Sequence, residues 1–516
     1  RLQIRGSGLQ QNPSERGTLV LQDGLPINRA DGSYIVGFAD PKSAEFAEIY
    51  RGYTANRLGA TVLGGAINFV SPTGITAPGA EVSIEGGSFG HFATNAQAGA
   101  RQGALDAHAS LSYAERDGYR EHNESERTNL NINAGARVND NISTRLFFGY
   151  TDLAFDVAGP LSRTLLEQNP KQICSGPPNC VGPNVGRDDP NREAEQVRIG
   201  SRTTARYGAN LFDIGLGYTY TDDTFTFPNS GGVRETDGGD FTTVLRYAYA
   251  PDAGRVLPLF EVTGQYVIGS ADRRYFINNH GRKDLLVGDN EFDSSTLSIN
   301  AGFNIPLSER LTISPAIAYS YATRENEDVY TAATRPFFNA ANGMRGSRPF
   351  VDTSYDHSYA EWSPSLALSY DIMRDQTLFT AVSRSFEQPT HGDMIATNDR
   401  NHGENRLAGA PRHIVNAALS YTVIPGLWVE AEVNWVPDET PVDNANNLYN
   451  DSFTLVDLRS SYAVTDNLTV FGEVSNVFDE TYASATLVVD TVANPEQAVF
   501  LPGDGRAFIV GAKAKF

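Results

Sequence analysis

From about Gly79 to Phe516 the sequence alternates apolar and polar residues in short runs, and no composition break separates one part of this stretch from the next. A period of two is the signature of β-strand with two unlike faces. In Arg127–Val138, Leu130, Ile132, Ala134, Ala136 and Val138 share one face, and Asn129, Asn131, Asn133, Gly135 and Arg137 the other. Leu311, Ile313, Pro315, Ile317 and Tyr319 oppose Thr312, Ser314, Ala316, Ala318 and Ser320 in the same way. So do Trp362, Pro364, Leu366, Leu368 and Tyr370 against Glu361, Ser363, Ser365, Ala367 and Ser369, and Leu427, Val429, Ala431, Val433 and Trp435 against Trp428, Glu430, Glu432 and Asn434. A soluble sandwich alternates too, but soluble sheets divide into smaller domains, and this pattern does not. A transmembrane barrel fits, with the apolar face toward lipid and the polar face toward the lumen.

Composition agrees. Mean hydropathy is −0.34, and no apolar run reaches the ~18–20 residues of a spanning helix. Tyr150, Tyr319, Tyr321, Tyr370, Tyr421 and Tyr462 fall at strand ends, where interfacial girdles are expected. Short turns at 139–141, 306–309, 371–375 and 465–467 read as periplasmic. The long polar segments 156–193, 226–240, 272–293, 324–356, 387–410 and 437–451 read as extracellular, ligand-capturing loops. Roughly eighteen strands are distinct, and a plugged lumen raises the expectation to about 22 antiparallel strands. The net charge of −21 argues against a nucleic-acid partner. Cys174 and Cys180, in ICSGPPNC, are expected to form a disulfide in an oxidising compartment; a metal pair is the competing reading, and no His lies near them in sequence.

Arg1–Gly74 is different. Gly6, Gly24, Gly52, Gly59, Gly64 and Gly65 end short apolar runs, as a compact domain with sharp turns requires. Leu19–Leu21 before Asp23-Gly24 reads as a hairpin strand. Four pieces, Ile4-Arg5-Gly6, Asp23-Gly24, Glu48-Ile49-Tyr50-Arg51-Gly52 and Gly64-Gly65-Ala66-Ile67-Asn68, resemble in order the later half of the plug of TonB-dependent outer-membrane receptors. The NVFDETY segment at Asn476–Tyr482, LPGDGR at Leu501–Arg506 and the terminal Phe516 on an amphipathic strand resemble that family's last segments. The resemblance implies an all-β transmembrane barrel (75–516) enclosing a small α+β plug (1–74), entered midway, with the TonB box and first plug strands expected before Arg1.

It also implies a transporter of the Gram-negative outer membrane rather than an enzyme, energised by the TonB–ExbB–ExbD complex. The cargo expected first is a ferric siderophore, then cobalamin, a quinone-type cofactor, an oligosaccharide or ferric citrate. A passive porin or barrel enzyme is the reading from another class, and the plug is what discriminates against it. No catalytic motif, resident metal site or cofactor is read in the chain. Lipid and lipopolysaccharide are the other expected partners, around a monomer.

Phe386-Glu387-Gln388-Pro389 stands where haem receptors carry FRAP, which argues against haem. His391, Met394 and His402 share a loop, and their bland reading as solvated residues outweighs metal capture. For a chelate, the candidate contacts are Gln10, Gln11 and Asn12 in one plug apex and Arg29, Asp31, Ser33 and Tyr34 in another. On the barrel, Arg273, Arg274, Tyr275, Asn278, Asn279, His280 and Arg282 form the densest basic and aromatic cluster. The plug is expected to be seated by buried ion pairs rather than apolar packing. Arg5, Glu48 and Arg51 are the plug candidates, and Glu430, Glu432 and Glu473 the wall partners that the resemblance suggests.

Overall fold

The computed structural model describes residues 16–58, 64–227, 232–251, 257–339, 344–373, 376–395, 406 and 408–516. Arg5, Gln10, Gln11, Asn12 and His402 lie outside them. In the plug, β1 (Thr18–Gln22), β2 (Leu25–Pro26), β3 (Phe46–Arg51) and β4 (Gly65–Val70) form one sheet in the order β2-β1-β4-β3. Asp23 and Gly24 both take positive φ, 56° and 79°, so the Asp-Gly pair makes the tight turn expected of it. Among the described residues of the plug, helical content is limited to 3-10 turns at Pro41–Ser43 and Gly52–Leu58.

Both faces of β1 are buried. Leu19 and Leu21 pack with Ala55 and Ala66. Val20 packs with Ile27, Tyr34, Ile35, Phe38, Ile67 and Phe69, and this cluster continues into the wall through Leu153 and Ala194. The plug is therefore seated by apolar packing as well as by polar contacts, contrary to the expectation from sequence. The polar lumen face is not uniformly polar, and the plug presents its apolar side to the exception.

Successive barrel strands pair antiparallel, except that among the described residues no rungs join Gln376–Ser383 to Val415–Ile424, and the last, Ala507–Lys515, closes on the first, Gly79–Gly87, with Lys513 opposite Ser83. Nineteen strands are named in the barrel among the described residues, but Ile305–Pro306 continues Lys283–Phe303 against the same neighbour. Eighteen staves result among the described residues, where about 22 were expected. The segments thought to hide further strands instead lengthen existing ones: 272–293 is the tip of a hairpin between Phe260–Asn278 and Lys283–Phe303, strands of 19 and 21 residues. Segment 226–240 likewise joins Asn210–Thr226 to Val233–Tyr249. Gln376–Ser383 and Val415–Ile424, adjacent in the barrel order, are exposed along their whole length, so no plug or loop segment among the described residues covers that sector.

The alternation holds where it was read. Asn129 and Asn133 are buried in the lumen while Ile132 is 41% exposed, and Ser363 and Ser365 are buried while Trp362 is 54% exposed. Above the apolar band the outward face changes character. Asp152, Glu195, Asp222, Asp237, Asp272, Glu291 and Glu327 stand successively opposite one another on seven adjacent strands. Carboxylates at the lipid face are tolerated only near the interface, so this row marks the outer rim of the hydrocarbon region.

Outside the barrel, three long loops share one apolar core: Leu161, Leu166, Cys174, Cys180, Val442, Ala483, Ala498, Val499 and Phe500. Two short helices, α1 (Arg163–Gln168) and α2 (Val185–Asp188), lie in the first of these loops, and Cys174 and Cys180 are disulfide-bonded within it. Arg163 reaches Asp451 and the carbonyl of Tyr449, tying the first loop to the second.

Candidate functional site

Three layers of contact meet along one wall of the lumen. At the mouth, register places Asp223, Thr236, Arg273 and Asn290 on one rung, with Arg192, Phe225, Arg234 and Tyr275 on the rung above. Arg192 donates to both carboxylate oxygens of Asp223, at 2.6 and 2.9 Å. Arg234 reaches the same carboxylate at 3.7 Å, and its Nε has no hydrogen-bond partner. Arg273 Nε donates to Thr236 Oγ1 at 3.0 Å, and its guanidinium lies 4.8 Å from the Phe292 ring centre. All three arginines are buried, none more than 8% exposed. Arg192 and Arg234 thus share the Asp223 carboxylate, while Arg273 lies buried on the same rung with Asp31 as a second acid acting on it, in a chain of net charge −21. Aromatic faces at Phe225, Phe227 and Phe292 supply part of the compensation.

The second layer locks the plug apex. Ala30 N donates to Asp240 Oδ1 at 2.7 Å, and Arg29 stands 3.8 Å from Asp240. Thr296 Oγ1 donates to the Ala30 carbonyl, and Arg324, 1% exposed, donates to the Asp31 carbonyl at 3.1 Å. A strap from Gln388 to α3 (His391–Ile395) closes over this apex. His391 N donates to Asp31 Oδ2 at 3.3 Å. The imidazole bonds Ser294 Oγ through Nε2 and the Tyr355 hydroxyl through Nδ1, both at 2.6 Å, and stacks 4.2 Å from Phe292. Arg273, Phe292, His391 and Asp31 therefore form one continuous contact from mouth to plug.

Burial pushes the pKa of Asp31 up, but His391, Arg324 and the Ser33 hydrogen bonds outweigh it, and the carboxyl stays well below its usual range. Burial pushes His391 down to about 4, against the pull of Asp31 and with Arg273, Arg324 and Arg29 acting in the same direction as burial. A base whose folded pKa is depressed stabilises its neutral contacts above the unfolded value of 6.5 and loses that contribution as pH falls toward 4. Limited proteolysis should therefore cut the strap faster as pH drops through this window. His391→Phe should abolish the pH dependence; an unchanged profile in that variant would assign the effect elsewhere.

The third layer is the seat of the β1–β2 turn. Leu25 enters a notch floored by glycine: a Cβ added to Gly200 would stand 2.6 Å from Leu25 Cδ1, and one on Gly215 3.1 Å from Cδ2. Arg198 donates to Gln22 Oε1 at 2.8 Å and to the Leu25 carbonyl at 3.2 Å. Arg202 donates to the Asp23 carbonyl at 3.1 Å. Elsewhere around the plug, Arg57 pairs with Glu261 at 2.9 Å and Arg127 with Asp40 at 2.9 Å. Lys42 pairs with Glu85, and Ser112 Oγ donates to Asp40 at 2.6 Å.

The residues singled out from sequence are distributed as follows. Asp31 and Ser33 are buried beneath the strap and bond each other, and Tyr34 belongs to the plug core, so none of them faces the mouth. Arg273 faces the lumen, and Tyr275 stands on the rung above it. Arg274 lies 3.5 Å from Glu235 and is 49% exposed at its side chain. Asn278 shapes the hairpin end by donating to the Asp188 and Phe227 carbonyls, while His280 and Arg282 sit exposed at its tip. His391 spends both ring nitrogens within the protein, and Met394 lies 3.7 Å from the Tyr359 hydroxyl. Among the described residues no cluster has the make-up of a metal site.

The docking residues are rearranged too. Glu430, Glu432 and Glu473 converge on Arg459 of their own wall, at 3.2 and 2.5 Å for the first two and 3.6 Å for the third. Glu48 accepts from Asn68 within the plug, and Arg51 is exposed on the edge strand β3, whose Phe46 and Ile49 are 50% and 59% exposed. Arg192, Arg234 and Asp223 were not found from sequence. Their signal was parity: each falls on the lumen-facing phase of its strand.

A barrel closed end to end, filled by a plug that its wall grips, is the architecture of a gated outer-membrane receptor. The chain belongs to the TonB-dependent receptor family: the model described as TonB dependent receptor-like, beta-barrel, matches residues 79–404 and 396–477. That places it in the outer membrane of a Gram-negative cell, among receptors rather than enzymes. The fold is similar to the unliganded ferric citrate transporter FecA, with a TM-score of 0.77 and 14% identity over 100% of this chain and 93% of that one. It is also similar to the ferric yersiniabactin uptake receptor FyuA of Yersinia pestis, at 0.70 and 14% over 100% and 93%. The siderophore receptor PiuA of Acinetobacter baumannii gives 0.67 and 12% over 100% and 93%. At these identities the likeness is one of fold. A 42-residue stretch is 50% identical to the vitamin B12 transporter BtuB of Photobacterium profundum, covering 8% of this chain and 7% of that protein.

Proposed function

We propose that this receptor imports an anionic metal chelate, a ferric siderophore or ferric carboxylate complex first among them, using work delivered through TonB, ExbB and ExbD to the plug of a single barrel. The observation that carries the reading is the mouth cluster, where Arg192 and Arg234 share the carboxylate of Asp223 and Arg273 lies buried on the same rung, three guanidiniums against Asp223 and the more distant Asp31. Buried guanidiniums short of counter-charge favour a ligand that brings its own. A neutral corrinoid offers them nothing comparable. Gating follows from the plug: a lumen sealed by shared apolar packing and wall-to-plug hydrogen bonds conducts only when those contacts are broken.

The test is calorimetric titration of the full chain in detergent with ferric citrate, a neutral ferric hydroxamate and cyanocobalamin. Ferric citrate should bind tightest. Arg234→Gln and Arg273→Gln should each weaken it by about tenfold or more, the worth of a charge-assisted hydrogen bond. Preference for the hydroxamate or the corrinoid, or indifference to both substitutions, overturns the reading.

A further inference from the structure

We propose that the strand Asn191–Tyr207 is the rail along which an anionic cargo descends past the plug, an inference that rests on the anionic reading of the mouth and extends it to the route. The lumen-facing phase of this one strand carries Arg192, Arg198 and Arg202. Ten residues run about 33 Å along the strand, which a tilt of about 35–45° reduces to roughly 25 Å along the barrel axis. The rungs are therefore spread from above the carboxylate rim into the periplasmic half on a single stave.

The middle rung is held in a manner suited to release. Arg198 takes only neutral partners, the Gln22 amide oxygen and the Leu25 and Pro26 carbonyls, and among the described residues no carboxylate stands within ion-pair distance of it. Its Nε is buried and without a hydrogen-bond partner. When the β1–β2 turn withdraws, this guanidinium loses three neutral acceptors and becomes the nearest counter-charge for an anion leaving the mouth. Leu25 also vacates the glycine floor at Gly200, Gly215 and Gly217, which opens space beside the rung.

Voids already mark this line. A cavity of about 30 Å³ lies between the turn and the wall at Arg198, bordered by Gln22, Asp23 and Ser71. Toward the periplasm a cavity of about 390 Å³ is lined by Arg101, Arg137, Arg145 and Arg202, with Asp106 as its one acid. Arg202 is paired with Asp213 and Arg145 with Asp106, which leaves the exit with four arginines against two acids. The sector around Arg459 has the opposite balance, since Glu430, Glu432, Glu473 and Asp457 surround that one arginine.

The experiment needs no chelate. The full chain is placed in a planar bilayer across a potassium chloride gradient, and its plug is loosened with sub-denaturing urea until current flows. The open state should prefer chloride. Arg198→Gln should cut the chloride-to-potassium ratio by at least about twofold, and Arg198→Lys should restore it. A purely structural role for Arg198 would change how readily the current develops and leave the ratio alone. Cation preference in the unaltered chain, an unchanged ratio in Arg198→Gln, or no opening before the barrel itself melts overturns the rail. Because the ions are chloride and potassium only, these outcomes stand apart from the ferric citrate titration at the mouth.

Discussion

Glu261→Gln should unseat one side of the plug more severely than any other single substitution considered. The Glu261 carboxylate, 5% exposed at its side chain, accepts from Arg57 of the plug at 2.9 and 3.3 Å and from Arg246 of the wall at 2.9 Å. Removing its charge takes the shared counter-charge from two guanidiniums that are 33% and 31% exposed. Deleting one partner of a fully buried pair costs ~3–5 kcal/mol, and the partial exposure of these arginines brings the expected loss below that, to about 2 kcal/mol. Cells carrying the variant should admit large antibiotics such as vancomycin, while the barrel keeps its heat-resistant gel mobility. Arg57→Ala should do less, because Arg246 and Glu261 remain paired on the wall. Arg51→Ala, on the exposed edge of β3, should change antibiotic exclusion by nothing measurable. If Glu261→Gln behaves like Arg51→Ala, the shared carboxylate is not a seat.

Gly200→Val should loosen the turn that Leu25 anchors. The new Cβ would stand 2.6 Å from Leu25 Cδ1, and the neighbouring space is taken, since a Cβ on Gly215 or Gly217 would already lie 3.1 or 3.6 Å from the same side chain. Overpacking of this kind costs ~1–3 kcal/mol. The strand itself accepts valine, so the barrel should form normally. Antibiotic leak should rise, and Leu25→Ala in the same chain should lower it again by returning the volume. Failure of that rescue would show that the notch is not where the turn is held.

The sequence made the barrel legible because period-two alternation is a local property, visible wherever one face is lipid and the other lumen. It made Asp23-Gly24 legible for the same reason: two consecutive positive-φ residues leave a composition mark. Contacts between plug and wall left no such mark. Glu261 and Arg57 are 204 positions apart, and nothing local tells Glu261 from Glu430, which pairs along its own wall instead. Arg273 and Arg274 are neighbours in sequence and stand on opposite faces, so a cluster read as a basic loop was in fact divided between lumen and exterior. The strand lengths were hidden for a different reason. Polar extensions above the membrane keep the alternation but lose the apolar face, and Lys283–Phe303 reads as loop for half its length.

The apolar core shared by three extracellular loops makes the mouth mechanically lopsided. Segments joined through Leu161, Val442 and Phe500 move together or not at all, like the fixed upper jaw of a vice. A grip on a bound particle then falls to the opposite lip, where among the described residues the Thr334–Asn339 and Met344–Pro349 hairpin and the His391 strap belong to no such union. Capture in this receptor is then a one-sided stroke toward a stationary anvil rather than a symmetrical pinch.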